Sequence, residues 1–252
     1  MEEAIGVIVC NYNYDRYLAS TIASIAGQSH EAVSLVVCDD ASTDESWRRI
    51  LEACAAHGSR FRRIELHRSA VNLGKNAWIN RVVPGLAESH LVILDSDDTI
   101  PPDYLAALMG ELRRAAADAS PVDFVYTDCR LIDPQGKVIG AGRSRAFDAA
   151  LVERFSYIPE PALVATESLR RALPLDASVR RGTKHDKYKR LVRLGAVGRH
   201  TDATWFNYRM HDDNLSGIGV RVRREIEAGC PGEERILSGY WPVSEVPAGL
   251  PA

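Results

Sequence analysis

At 252 residues with a formal net charge of -3, the chain is long enough for one sizeable core and too evenly charged to carry a general electrostatic footprint for nucleic acid. Hydrophobic residues make up 46% of it, yet no apolar run nears the roughly 18 residues that cross a bilayer, and the opening MEEAIGVIVC carries acids where a secretory leader carries bases. A cytoplasmic location is the expectation, and five scattered cysteines (Cys10, Cys38, Cys54, Cys129, Cys230) without C-x-x-C spacing argue against a disulfide framework or a zinc site.

In chain order, four units of one design come first. Residues 5–10 (IGVIVC), 33–38 (VSLVVC), 62–67 (RRIELH) and 91–94 (LVIL) have strand length, and each is followed by apolar residues at helical spacing. Those stripes are Leu18, Ile22 and Ile25; Trp47, Ile50, Leu51 and Cys54; Ile79, Val82, Val83 and Leu86; and Leu105, Leu108, Met109 and Leu112. The alternation predicts an α/β fold: a mostly parallel central sheet flanked by helices, with right-handed crossovers and functional groups at the carboxyl ends of the strands. Residues 42–45 (STDE) have the form of a capping box, and Pro101-Pro102 suits the first turn of the helix that carries Leu105.

A fifth strand is expected at 123–127, a hairpin at 131–140 with its turn at 134–136, and a helix at 182–195 with Tyr188, Leu191 and Val192 inward. From Gly229 on, four prolines and four glycines mark an irregular tail, whose Tyr240 and Trp241 are candidates for burial against a second subunit in a homodimer.

The stretch 91–105 (LVILDSDDTIPPDYL) runs an apolar strand straight into Asp95, Asp97 and Asp98. Two unit charges about 4 Å apart repel by about 4 kcal/mol at an effective dielectric near 20, so carboxylates that converge at a strand end bind protons or a cation. Mg²⁺ or Mn²⁺ suits such oxygen ligands, commonly with substrate phosphates completing the shell. The plainer reading is a solvated turn whose aspartates cap the next helix. Two further strands end in the same manner, one in Asp39-Asp40 and one in Asn11-Tyr12-Asn13. Three polar strand ends facing one crevice favour a ligand with phosphate, hydroxyl and amide groups.

Together these segments resemble the opening of the family 2 nucleotide-sugar glycosyltransferases. Their GT-A fold starts with a strand ending in an N/T-Y-N element, a helix ending near a Q-[ST] pair (Gln28-Ser29), and a strand ending in D-D-x-S-T-D (39–44). Residues 71–80 (VNLGKNAWIN) are similar to their N-x-G segment and 91–105 to their D-x-D motif. Looser matches follow. Residues 181–195 fall where an acidic pair usually opens a helix, with His185-Asp186 in its place, and 208–217 (YRMHDDNLSG) is similar to a Y-R-x-H segment.

The resemblance implies a GT-A domain over 1–228, with a nucleotide-binding half to about 130 and an acceptor half after it, then the tail 229–252. It also implies a metal-dependent, inverting transferase that moves a sugar from a nucleoside diphosphate sugar, most often a UDP-sugar, to a hydroxyl acceptor in polysaccharide, glycolipid or natural-product glycoside synthesis. By the same resemblance Mn²⁺ or Mg²⁺ falls to Asp97, with Asp95, Asp98 or His211 helping. Asp186 becomes the base that takes the acceptor's proton, Asp40 with Asp39 beside it holds the nucleobase, Asn11, Tyr12 and Asn13 flank that base, and Asn72 and Ser96 line the donor site. Lys75 reads either as a point charge on phosphate or as an exposed first-turn lysine. His211 and Arg209 read as phosphate or metal contacts or as local hydrogen bonders. Trp205, Phe206 and Tyr208 read as core or as acceptor lining.

Two other readings stay open. D-x-D-x-T after an apolar strand is also the signature of haloacid-dehalogenase-like phosphatases, with Asp95 as nucleophile and Asp97 as acid/base, although three strand-helix units precede it here. A non-catalytic nucleotide-sugar binding module would suit the altered pair at 185–186.

Overall fold

The apolar runs become neighbouring parallel strands in a computed structural model that describes residues 3–214 and 243–244. β1 (Ile5–Asn11), β2 (Val33–Asp39), β3 (Arg63–Arg68) and β4 (His90–Asp95) lie in the order β3-β2-β1-β4. They are connected through α1 (Asp15–Ala26), α2 (Ser46–His57) and α3 (Lys75–Val82), and pairing in register brings Asn11 beside Asp39 and Cys10 beside Asp95. Those pairings align the strand ends on one rim. Period-two alternation sends Val7 and Val9 into one core, with Leu35, Val37 and the α1 and α2 stripes, and Ile8 into another, with Val36, Ile93, Trp78 and Ile79. β3 is the edge strand, half-buried throughout, which is why charged residues interrupt its apolar run.

The second half is α4 (Tyr104–Ala117), β5 (Phe124–Ile132), β6 (Val138–Gly142), α5 (Ala149–Arg154), β7 (Leu163–Ala165), α6 (Thr166–Ala172), α7 (Thr183–Arg193), β8 (Gly198–Arg209) and β9 (Val243–Ser244). β7 fits antiparallel between β4 and β5 and so fuses the halves into one nine-stranded sheet. The sheet is parallel across its first four strands and mixed beyond, since β5-β6 and β6-β9 are antiparallel while β8 runs parallel to β5. The β5-β6 hairpin turns where expected: Asp133 Oδ1 accepts from the N–H groups of Gln135 and Lys137 at 3.0 and 2.9 Å, and Gly136 takes φ +88.

Several local expectations give way to tertiary demands. The 42–45 segment is not a capping box: α2 starts at Ser46, and the Ser42 hydroxyl instead accepts from Asn11 Nδ2 and the Asn13 N–H at 3.1 and 2.9 Å. Pro101-Pro102 lies before α4 rather than in its first turn. Leu51 is 45% exposed, outside the core its spacing suggested. Pro84 ends the α3 stripe early, so Val83 and Leu86 pack from the turn that follows. The tail from Gly229, with Cys230, Tyr240 and Trp241, falls outside the described residues apart from 243–244, and among the described residues no helix is long and apolar enough to cross a membrane.

Candidate functional site

A cleft of about 780 Å³ opens at the carboxyl ends of β1, β2 and β4, and the segment leading into α7 lines it as well. The expected residues Asn11, Tyr12, Asn13, Asp40, Asn72, Lys75, Asp95, Ser96 and Asp97 all line it. Asp39, Asp98, Asp186 and His211 are not part of that lining.

The three aspartates after β4 do not converge on one point. The Asp98 N–H turns back to the Asp95 carbonyl at 3.1 Å, and the side chains of this tight turn fan out to separate partners. Asp95 is ion-paired with Lys75 Nζ. Asp97 Oδ2 meets His211 Nε2 at 2.9 Å, and Asp98 Oδ1 accepts the Arg209 N–H at 2.8 Å while its side chain is buried. Burial, reinforced by Asp97 and Asp95, pushes the Asp98 carboxyl well above its ordinary pKa. Asp98 therefore faces inward, whereas Asp95 lines the cleft with its Oδ1 ion-paired to Lys75.

What remains is a carboxylate at the cleft and an imidazole behind it. His211 is 3% exposed and packs against the rings of Tyr14 and Tyr17 at centroid distances of 5.4 and 5.0 Å. Oxygen and nitrogen donors of this kind suit Mn²⁺ or Mg²⁺ when phosphate oxygens and water complete the shell. Among the described residues no three acidic, histidine or cysteine side chains form a site by themselves. Arg209 is a clamp, not a contact: it is 4% exposed, and Nε donates to the Asp97 carbonyl at 2.7 Å.

The acids after β2 are also committed internally. Asp39 is fully buried and accepts from Asn11 Nδ2 at 3.1 Å, with Arg68 Nε 3.3 Å away. Asp40 accepts from the N–H groups of Leu73 and Gly74 at 2.7 and 2.8 Å and from Trp78 Nε1 at 2.9 Å, which fixes the loop between β3 and α3. Gly74 is required there: its φ is +88, and a Cβ would lie 2.3 Å from Arg180 Nη1. Lys75 is no exposed lysine. Burial works against its ammonium, but Asp95 and Glu160 outweigh that and hold its pKa above the ordinary value. Two groups at the first strand end stay open: Tyr12 is 45% exposed, and Asn11 Oδ1 is buried without a hydrogen-bond partner.

Residues 6–158, more than half of the chain, match the family model described as Glycosyl transferase family 2. The chain belongs to glycosyltransferase family 2. This family 2 chain is 25% identical over 228 residues to a chondroitin synthase of Escherichia coli, covering 88% of itself and 31% of that protein. It is 37% identical over 94 residues to the putative glycosyltransferase EpsE of Bacillus subtilis, covering 37% of itself and 33% of that protein. It thus spans about a third of the length of these curated relatives. Its fold is that of S. aureus TarS residues 1-349 in complex with UDP (TM-score 0.63, 17% identity, 83% of this chain and 61% of that one). It is also that of the mannosyltransferase PcManGT from Pyrobaculum calidifontis in complex with GDP-Man and Mn²⁺ (TM-score 0.64, 19% identity, 89% and 61%). Membership in the family removes the phosphatase reading.

On α7 the family 2 chain departs from the expected pattern. Asp186 does not line the cleft, and His185 Nε2 lies 2.7 Å from the Val152 carbonyl. The α7 residues at the cleft are Thr183 and Lys184, and the two positions from Lys184 to Asp186 are about 200° of rotation. Lys187 lies on the Lys184 side and puts Nζ 3.0 Å from Glu160 Oε1, a carboxylate of the cleft lining just before β7. Burial opposes the Glu160 charge, but Lys187 and Lys75 overcome it and hold its pKa below the ordinary value, while its Oε2 accepts no hydrogen bond. Glu160, Arg180, Arg181 and Lys184 escaped the sequence reading. The stripe Lys184, Lys187, Tyr188 and Leu191, at i, i+3, i+4 and i+7, was the signal that could have turned α7 the right way round. Tyr208 lines the cleft, whereas Trp205 and Phe206 are core.

Proposed function

We propose that this chain carries out glycosyl transfer from a nucleoside diphosphate sugar to an acceptor hydroxyl, with inversion and with a divalent ion bound by Asp97 and His211. One observation carries the reading: Asp97, backed by His211, faces the same cleft as the open aromatic face of Tyr12 and the Asn11 amide. Structures of the same fold hold UDP in one case and GDP-Man with Mn²⁺ in another, which supports a nucleotide-sugar donor.

Tyr12 offers a stacking face for the nucleobase, and Asn11 Oδ1, which has no partner, accepts a base N–H. This takes over the role expected of Asp40, whose oxygens are already filled. The bound ion supplies positive charge to the departing diphosphate oxygens. Inversion needs a base on the face away from that leaving group. Glu160 lines the cleft, is ionised by its lysines and has Oε2 without a hydrogen-bond partner. In the transfer, the acceptor oxygen bonds to the anomeric carbon, its proton passes to Glu160, and the bond to the diphosphate oxygen breaks with its electron pair leaving on the diphosphate.

Calorimetric titration with UDP-glucose and GDP-mannose, with and without Mn²⁺, tests the proposal. Uptake of one of them, strengthened by Mn²⁺ in the wild type and not in Asp97→Asn, is expected. No uptake of either by the wild type would overturn it, and uptake with no sugar transfer to water or any acceptor would favour the binding-module reading.

A further inference from the structure

Strand register sets two thiols side by side at the floor of the cleft. Cys10 on β1 is the pairing partner of Cys38 on β2, and because residues two apart share a face of a sheet, both turn to the side that buries Ile8 and Val36. Neighbouring strands lie about 4.8 Å apart, within the roughly 4.4–6.8 Å between Cα atoms that a disulfide spans. The thiols touch. A hydrogen bond with Cys10, reinforced by burial, pushes the Cys38 thiol well above its ordinary pKa.

Access separates the two. Cys38 is fully buried, whereas Cys10 is half-buried and lines the cleft beside Asn11 and Tyr12. Cys54 on α2 and Cys129 on β5 are buried and are not part of the cleft lining. Lys75, ion-paired with Asp95, keeps its ammonium in the field of Cys10 and so offsets the carboxylate that β4 sets beside that thiol. A reachable thiol backed by a buried one is the arrangement in which an oxidised sulfur is captured before it oxidises further.

We infer that Cys10 and Cys38 form an oxidation site for hydroperoxides that enter the cleft. The Cys10 sulfur attacks a peroxide oxygen, the O–O bond breaks with its electron pair on the departing oxygen, and that oxygen leaves with the thiol proton as water or alcohol. Cys10 is then a sulfenic acid. The Cys38 sulfur attacks the Cys10 sulfur, the S–O bond breaks, and the hydroxide leaves with the Cys38 proton as water. Both sulfurs are oxidised, the peroxide is reduced, and a disulfide joins β1 to β2. Linking calls for Cβ atoms about 3.8 Å apart, closer than the strand spacing supplies, so the strand ends draw together by roughly 1 Å. The next pair in register is Asn11 and Asp39, joined at 3.1 Å, with Tyr12 after it. Resting on the donor reading above, that movement disturbs the groups that receive the nucleobase and lowers nucleotide affinity.

The test exposes the reduced full chain to hydrogen peroxide and digests it with trypsin, which isolates Cys10 in fragment 1–16 and Cys38 in fragment 17–48. A peroxide-dependent link between these fragments, reversed by dithiothreitol and absent from Cys10→Ala and Cys38→Ala, is expected by mass spectrometry. The linked wild type is expected to bind UDP or GDP about tenfold or more weakly than the reduced protein, and dithiothreitol to restore it. Wild-type fragments that stay unlinked, whether Cys10 remains a thiol or goes on to sulfinic acid, would overturn the inference, as would a linked protein with unchanged nucleotide affinity. Failure of the reduced wild type to bind either nucleotide overturns the donor reading alone, and the fragment link still decides the thiol pair.

Discussion

The two ends of the cleft treat charge in opposite ways. At the strand ends, carboxylates are plentiful and turned to internal partners: Asp39 Oδ1 to Asn11, both oxygens of Asp40 to the Leu73-Gly74 backbone and Trp78, and Asp98 Oδ1 to the Arg209 backbone, with Asp39 Oδ2 and Asp98 Oδ2 accepting no hydrogen bond. Before α7, Arg180 and Arg181 line the cleft, and among the described residues neither pairs with a carboxylate. The contrast teaches that a motif carboxylate is as often scaffold as reagent. A buried acid that already accepts two or three hydrogen bonds has little left to offer a ligand, so the groups to watch are those with an open valence.

The sharpest way to break this contrast is to treat Asp97 and Asp98 alike. Asp97→Asn is expected to lower transfer by about 10²-fold or more and to remove the strengthening of nucleotide binding by Mn²⁺. Asp98→Asn is expected to leave the metal dependence in place, and a metal titration in which both variants fail equally would return the three aspartates to a single site.

Next in size is the pair Glu160 and Asp186. Glu160→Gln should reduce kcat about 10²-fold with a smaller change in KM, while Asp186→Asn changes kcat less than about threefold. Steady-state kinetics with the two effects reversed would mean that α7 turns on binding substrate. At the nucleotide end, Tyr12→Ala should cost about 1–2 kcal/mol of nucleotide affinity, read by calorimetry, because an exposed ring loses only its stacking face.

The smallest effect is on stability. Burial pulls the Lys184 ammonium down to about 8, against the opposing pull of Glu160, Asp95 and Cys129 and with help from Lys75. Between that value and about 10.4 the unfolded chain holds the proton more tightly, so wild-type stability rises with pH across this window and is lowest below it. Lys184→Met should therefore stabilise the fold at pH 7 by on the order of 1 kcal/mol, read as a higher melting temperature, and lose that advantage as pH climbs past 10. Melting curves at pH 7 and pH 10 that shift equally would show the lysine to be better solvated than its surroundings suggest.

Much of the nucleotide half was legible from residue order alone. Runs such as 33–38 are apolar at every position but Ser34, which a strand covered on both faces requires, and the polar residues that end them had to meet on one rim once the sheet was parallel. Beyond residue 130 the strands are short or edge-like, and β7 has three residues, too few for a period to be read. The site was misjudged for a related reason. At 181–195 residue type draws attention to Asp186 while helical phase puts Lys184 at the cleft, and Glu160 sits in a loop segment with no pattern to announce it. The inward orientation of Asp98 depends on Arg209, more than a hundred positions away, and no local rule supplies it.

The last strand carries a lesson about trimming the chain. Val243 and Ser244 return to pair with Gly142 and Ala141, shielding the outer backbone of β6. A polypeptide cut after residue 228, where composition alone sets the limit of the catalytic domain, would leave that border with unmet N–H and C=O groups, an invitation to strand-to-strand self-association. Sedimentation that grows with protein concentration in the shortened form, and does not in the longer one, would be its signature.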